Sequence, residues 1–253
     1  MSKRNTQQRR QTIITELDQR GKVSVYQLAK QFSLSEVTIR KDLAILETSS
    51  LLLRRYGGAI SLPKESIEPK NKSLSKRKLA IAKQAALLIN DHHRIIIDSG
   101  STTSALVKAL DDKKGLIVMT NSLSIAGELT ALENEPVLLM TGGTWDPQSE
   151  AFQGQVAEQV LRSYDFDQLF IGADAIDIAR GTTTYNELTG LSRVMAEVSK
   201  EVIVMVESDK IGRKIPNLEL PWHCIHTLIT DNGLSEEIIN QLIKQDIKLI
   251  IAN

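Results

Sequence analysis

One cysteine, Cys224, stands in 253 residues. That excludes an internal disulfide framework and a metal finger built on cysteines. Aromatic residues make up only 4% of the chain, too few for the stacking platforms of single-strand nucleic-acid binders. No apolar run approaches the ~20 residues that span a bilayer; the longest, such as Ile95-Ile96-Ile97, have strand length. The first residues, Met1 to Asn5, are polar and no apolar stretch follows them. A secretory signal is therefore not expected, the cytoplasm is the expected location, and no membrane partner is foreseen. There is no internal repeat and no low-complexity segment. With 42% hydrophobic and 25% charged residues, the composition is that of an average globular chain of one or two domains.

The formal net charge is zero, but it is unevenly spread. Residues 1–80 hold 17 Lys and Arg against 7 Asp and Glu, and the rest hold 14 against 24. A basic arm on an acidic body suggests an arm that faces nucleic acid.

The arm reads as three short helices and a β-hairpin. Ile13, Ile14 and Leu17 recur at helical spacing between Gln7 and Asp18, and Arg20-Gly21 ends that helix. Ser24 is placed to cap a second helix running to Phe32. After a tight Ser33-Leu34 connection, Ser35 is placed to cap a third, with Val37, Ile39, Leu43 and Leu46 as its expected buried set and Glu36 at its positive end. Residues 51–56 read as a strand, Gly57-Gly58 as a hairpin turn and residues 59–62 as the returning strand. A helix, a short turn and a polar-faced helix form the geometry that lays one helix in the major groove of double-stranded DNA. A basic hairpin beside it is the winged variant, whose arginines reach phosphates or the minor groove. The candidate DNA-contacting residues are Ser24, Ser35, Glu36, Thr38, Arg40, Lys41, Arg54, Arg55 and Tyr56. Domain boundaries follow at 1–60 for the DNA-binding arm, 61–77 for a linker carrying Pro63 and Pro69, and 78–253 for the body.

A long helix is expected from Ser75 to about Asn90. Short apolar runs then alternate with helix-period segments. The runs are 94–98, 116–120, 137–141, 169–174, 202–207, 224–230 and 247–252; the helical segments lie near 101–110, 122–132, 150–163, 186–200 and 235–245. This alternation predicts an α/β body with a Rossmann-like parallel sheet covered on both faces. Ligands of such sheets sit beyond the carboxyl ends of the strands. Four loops stand there: Asp98-Ser99-Gly100-Ser101-Thr102-Thr103, Thr120-Asn121-Ser122, Thr141-Gly142-Gly143, and Gly172-Ala173-Asp174 followed by Thr183 and Glu187. Lys210 follows the fifth strand. Taken together they suit a small polyhydroxylated anion: Asp and Asn for hydroxyls, and backbone N–H groups, the Ser-Thr loop and Lys210 for a phosphate.

The arm sequences VSVYQLAKQFSLSEVTIRKDLAILE and RRYGGAI resemble the winged helix-turn-helix of the DeoR family of bacterial sugar-operon regulators. DSGSTT, MTNSL, TGG, FIGADAID and NE stand in that family's order and spacing, so the resemblance covers nearly the whole chain. MTNSL, FIGADAID and GRKIPN are most similar to regulators of glucitol and N-acetylgalactosamine operons. The resemblance implies a sensor domain of the ribose-5-phosphate-isomerase type, a phosphorylated-sugar effector that relieves repression, and a homo-oligomer, dimer or tetramer.

An isomerase-like enzyme with an accessory DNA-binding arm is the alternative. The isomerase keeps two further acids and a lysine loop around the position of Asp174; here Ile171, Ala175 and Arg180-Gly181 stand there, so no catalytic residues are expected. No cofactor and no metal are expected either. His92-His93, and His223 and His226 in an expected strand around Cys224, lack ligand geometry.

Overall fold

Three helices open the chain, α1 (Lys3–Arg20), α2 (Val25–Phe32) and α3 (Glu36–Thr48), with a short strand β1 (Lys22–Ser24) between the first two. The computed structural model describes residues 3–48, 52–55, 57–60, 75–147, 149–184 and 189–253. It divides into two compact units, Met1–Lys72 and Ser73–Asn253.

In the first unit, Ile13 and Leu17 of α1, Leu28 of α2 and Ile39, Leu43 and Leu46 of α3 bury against one another. The turn between α2 and α3 closes on Ser33 in the left-handed conformation, with the Leu34 N–H donating to Ala29 O at 2.9 Å. β2 (Leu53–Arg55) and β3 (Gly58–Ile60) form the hairpin. β3 pairs with both β1 and β2, so the wing is a three-stranded sheet rather than a lone hairpin. Gly57 has φ +81, as the turn requires. A Cβ on Gly58 would stand 2.0 Å from Val23 O, so only glycine lets β3 lie this close to β1.

The hydroxyl of Ser24 makes no cap; the residue is spent on pairing with Gly58. Val37 is 59% exposed rather than buried, because Ile39, Leu43 and Leu46 already fill the inward stripe and two residues along a helix turn the side chain about 200° away. The charged Asp42 takes an inward place that the pattern of apolar residues had hidden. Its carboxylate accepts from Arg9 Nε at 2.7 Å and from Arg10 Nε at 2.8 Å, tying α1 to α3. Linker residues 61–74 lie outside the described residues.

The second unit begins with α4 (Lys76–Ala86), which ends short of the expected Asn90. Seven strands follow in one all-parallel sheet: β4 (Arg94–Ile97), β5 (Ile117–Thr120), β6 (Val137–Met140), β9 (Phe166–Ile171), β12 (Ser199–Met205), β14 (Thr227–Asp231) and β15 (Lys248–Ala252). Their order across the sheet is β15-β14-β12-β9-β4-β5-β6. Successive strand residues serve opposite faces. Ile95, Ile97, Phe170, Ile203 and Met205 pack with α4, α5 (Ser101–Val107) and α6 (Leu123–Leu129). Ile96, Leu169, Ile171, Val202 and Val204 pack with α7 (Gln155–Leu161), α8 (Gly190–Glu197) and α9 (Glu236–Ile243). This two-sided burial is why apolar residues dominate both faces of the central strands.

Two smaller features depart from expectation. Residues 150–163 are not all helix: a ribbon of β7 (Thr144–Asp146) and β8 (Ala151–Gln153) precedes α7. A second antiparallel sheet joins β10 (Ala175–Asp177), β11 (Gly181–Thr184) and β13 (Asn217–Pro221). Cys224 and His223 lie in a single 3-10 turn, Trp222–Cys224, because the buried Trp222 anchors its indole N–H on Ile178 O at 2.8 Å.

Removing one partner of a buried ion pair costs about 3–5 kcal/mol. Asp42→Ala is therefore expected to destabilise the first unit by about 3 kcal/mol. Hydrogen exchange should accelerate in α1 and α3 and stay unchanged in β4, β9 and β12. Unchanged protection of α1 would contradict the role given to Asp42.

Candidate functional site

Parallel strands put every carboxyl end on one edge of the sheet. The chain runs outward through β4, β5 and β6, then returns to lay β9 on the other side of β4. The order of strands therefore reverses between β4 and β9, which is where such sheets open a crevice for ligands. Asp98 stands at the end of β4 and Gly172-Ala173-Asp174 at the end of β9; the Asp98 N–H donates to Phe170 O at 3.0 Å.

Asn121, at the end of β5, holds the crevice together. Its Nδ2 donates to Asp98 Oδ1 at 2.8 Å, and its Oδ1 accepts the Ser99 N–H at 2.9 Å. Asp174 accepts from Thr184 Oγ1 at 2.7 Å. Lys210 reaches over from the 3-10 turn after β12 and donates from Nζ to Ala173 O at 3.0 Å, beside Asp174.

Glu219, on β13, completes the group and was not among the residues expected from the sequence. The signal was slight: a single acid between Leu218 and Leu220 in a short alternating strand. Its carboxylate accepts from Ser192 Oγ of α8 at 2.8 Å. Burial raises its pKa to about 7, and the charges of Asp98 and Asp174 add to the rise, while the Ser192 and Thr182 hydroxyls oppose it. Asp98 is likewise raised to about 6, chiefly by burial and further by Asp174, against the bonds from Asn121 and Ser99. Three carboxyl groups thus feel one another at the crevice.

Other expected residues serve the local chain. Thr103 donates to Gly100 O at 2.9 Å and Thr183 to Ala175 O at 3.2 Å. Thr120 Oγ1 accepts the Ser122 N–H at 3.1 Å, and Ser122 Oγ caps α6 on Ile125 N at 3.4 Å. Gly142 and Gly143 have φ +60 and +105, and a Cβ on Gly143 would stand 2.5 Å from Gln153 O, so they shape the turn into β7. Thr102 is buried; Gly100 and Ser101 are exposed in the loop and Ser99 is half-buried. Glu187 lies outside the described residues.

Beside the crevice, the start of α4 is clamped to the loop after β12. Ser75 Oγ donates to Glu207 Oε1 at 3.0 Å while capping the Lys78 N–H. Arg77 lies 3.3 Å from Glu207, 3.5 Å from Asp209 and 3.9 Å from Asp231. Asp231 in turn accepts the N–H and Oγ of Ser208 at 2.8 and 2.7 Å. Glu207 and Asp231 are buried, and Lys210 sits on the same 3-10 turn.

In the first unit, Ser35 caps α3 through the Thr38 N–H at 3.3 Å, and the Ser35 and Thr38 hydroxyls lie 2.9 Å apart. Arg40 rests on Glu36 at 2.6 Å, and Arg54 on Glu47 at 2.6 Å. Exposed pairs of this kind contribute about 0–1 kcal/mol, so both guanidiniums are readily released to another anion. Lys41 is exposed. Arg55 pairs through its backbone with Gly58; Tyr56 lies outside the described residues.

A cleft of about 730 Å³ lies at the opposite, amino-terminal ends of β14 and β15 and is lined by Arg180, Trp222, His223 and His226 among others. Arg180 there is engaged by Asp177 and Ile215 O, and His226 Nδ1 accepts the Val202 N–H. Among the described residues no cluster of three or more His, Cys, Asp or Glu is arranged to hold a metal ion, and no helix is long and apolar enough to cross a membrane.

Two family models match the chain, a DeoR-like helix-turn-helix domain at residues 9–65 and a DeoR C terminal sensor domain at residues 73–232. The chain is 39% identical to a putative aga operon transcriptional repressor of Escherichia coli O157:H7, covering 98% of this chain and 94% of that one. It is 30% identical to the transcriptional repressor AccR of Agrobacterium fabrum, covering 98% of each. Among solved structures, ribose 5 phosphate isomerase A from Neisseria gonorrhoeae aligns at a TM-score of 0.40 and 17% identity, covering 55% of this chain and 54% of that one. A likeness of that size says nothing about activity.

The raised carboxyl groups give the body a pH signature. Between the ordinary carboxyl range and about 7, the folded chain holds protons that the unfolded chain has released, so stability falls as pH rises through this window. Asp177 and Asp231, held low by Arg180 and by Ser208, titrate below it. Glu219→Gln is expected to raise stability at pH 8 by about 3 kcal/mol, since the rise from 4.5 to about 7 is worth about 1.4 kcal/mol per unit. It should also flatten the melting temperature between pH 5 and 8. An equal or steeper slope in the variant would contradict the buried-acid reading.

Proposed function

Since the chain belongs to the DeoR family of transcriptional regulators, we propose that it represses a carbohydrate-use operon and is released from its operator by a phosphorylated sugar bound at the crevice between β4 and β9. The chain is a DNA-binding regulator and not an enzyme. The repressor of the aga operon among its relatives favours a carbohydrate operon. The observation that carries the effector reading is the placement of Asp98 and Asp174 on the two sides of the sheet's reversal, with Asn121 stitching Asp98 to Ser99.

Each group has a task matched to its chemistry. Asp98, Asp174 and Glu219 accept hydrogen bonds from sugar hydroxyls, in addition to those they take from Asn121, Thr184 and Ser192. The backbone N–H groups of residues 100–103 and the Lys210 ammonium serve the phosphate. Lys210 is tethered by one bond to Ala173 O and keeps donors for a ligand. In the first unit, α3 lies in the major groove with Thr38, Arg40 and Lys41 toward base edges, and the β2–β3 wing lies along the phosphates. One such module contacts few base pairs, so a homo-oligomer binds paired half-sites.

The two events are linked through α4. A ligand that draws Lys210 off Ala173 O moves the 3-10 turn that carries Asp209 and directly follows Glu207, and Glu207 and Asp209 hold Ser75 and Arg77 at the foot of the linker. A ligand releases DNA only to the extent that it prefers one of two states of the protein.

Asp174→Ala is expected to keep operator affinity and melting temperature while losing release of DNA by the sugar phosphate. Operator fluorescence anisotropy titrated with pentose and hexose phosphates measures this. An unchanged response in a folded Asp174→Ala protein would sink the site. Arg77→Ala is expected to bind the same sugar phosphate with unchanged affinity in calorimetry yet release DNA at a higher ligand concentration; identical release would remove the clamp from the linkage.

A further inference from the structure

α3 carries an apolar side chain where its packing gives it no use. Ile39, Leu43 and Leu46 form the inward stripe of the helix and are buried, whereas Val37, in the first turn, is 59% exposed. Val37 shares its face with Arg40 and Lys41, three and four residues on. A β-branched residue also weakens a helix slightly, so Val37 supports neither the local structure nor the core.

Its neighbours show what the position faces. The Ser35 and Thr38 hydroxyls bond to each other and Arg40 bonds to Glu36, all on exposed surface. This is the polar, basic, amino-terminal part of a helix in an arm, residues 1–60, that carries 11 basic against 5 acidic residues. Such a surface is complementary to DNA rather than to an apolar protein partner. In the major groove, polar atoms line the base edges, with one apolar exception, the C5 methyl of thymine.

We propose that Val37 reads a thymine in the operator through that methyl group. The inference rests on the reading that α3 enters the major groove, and adds to it a base preference that none of the charged residues supplies. Arg40 selects for guanine through hydrogen bonds; Val37 selects for thymine by excluding water from two methyl surfaces, with no hydrogen bond in play.

Deoxyuridine in place of thymidine removes only this methyl group, which makes the test specific. Operator duplexes are first selected from a randomised pool with the full-length protein. Each thymine is then replaced in turn by uracil, and affinity is measured at fixed salt for the native protein, Val37→Ala, Val37→Thr and Arg40→Ala. The native protein should lose about four-fold in affinity at one thymine per half-site, the value of one buried methyl group, ~0.8 kcal/mol. Val37→Ala should bind the thymine and uracil duplexes equally, and Val37→Thr, which keeps a methyl group, should retain part of the preference. Melting temperatures should be unchanged, since the side chain is exposed. If uracil is silent at every position for the native protein, or if Val37→Ala keeps the full preference for thymine, the proposal is wrong. Loss of operator selectivity in Arg40→Ala alongside either result leaves α3 in the groove and removes Val37 alone. Full selectivity in Arg40→Ala overturns both.

Discussion

The parallel sheet is the constraint from which the body's chemistry follows. Its seven strands bury both faces, so no functional polar group can sit along them without cost, and polar residues are driven to the strand ends. Parallel pairing then gathers all carboxyl ends on one edge. The return of the chain from β6 to β9 opens that edge at one place, between Asp98 and Asp174. Burial there penalises charged carboxylates, and repulsion from their neighbours adds to the penalty, which is why Asp98 and Glu219 hold protons at a pH where carboxyl groups are ordinarily charged.

Much of this was legible in the sequence because it rests on periodicity and on residue type. All seven parallel strands announce themselves as short apolar runs, and the loops at their ends stand out as Gly, Ser, Thr, Asn and Asp between apolar blocks. What was not legible depends on contacts far apart in the chain. Glu219 belongs to the crevice through a small antiparallel sheet whose strands, such as Gly181–Thr184, have no apolar signature. Thr183 and Thr184 look alike in sequence, but strand alternation sends the first to Ala175 O and the second to Asp174.

The arm shows the same division. The apolar pattern of α3 predicts burial of Ile39, Leu43 and Leu46, which are buried, and of Val37, which is exposed, since hydrophobicity alone does not tell which side of a helix faces the core. Asp42 errs in the opposite direction: a charged residue is buried because two arginines from α1 meet it there. Ser24 has the residue type of a helix cap, but the backbone pairing of β1 with Gly58 decides its place. The clamp of Ser75 and Arg77 on Glu207 and Asp231 spans more than 100 residues of sequence and has no local trace, although it ties the start of α4 to the carboxyl edge of the sheet.

In the proposed regulator a phosphorylated sugar binds at the carboxyl ends of β4, β5, β9 and β12 and nowhere else in the body. Hydrogen exchange of the full-length protein, with and without saturating sugar phosphates, tests it most directly. Slower exchange in residues 98–103, 120–122, 172–174 and 208–210, with the opposite edge of the sheet unchanged, is the expected result. Protection instead around Arg180, Trp222 and His226, or no change at any strand end with a phosphate that releases the protein from DNA, would contradict it.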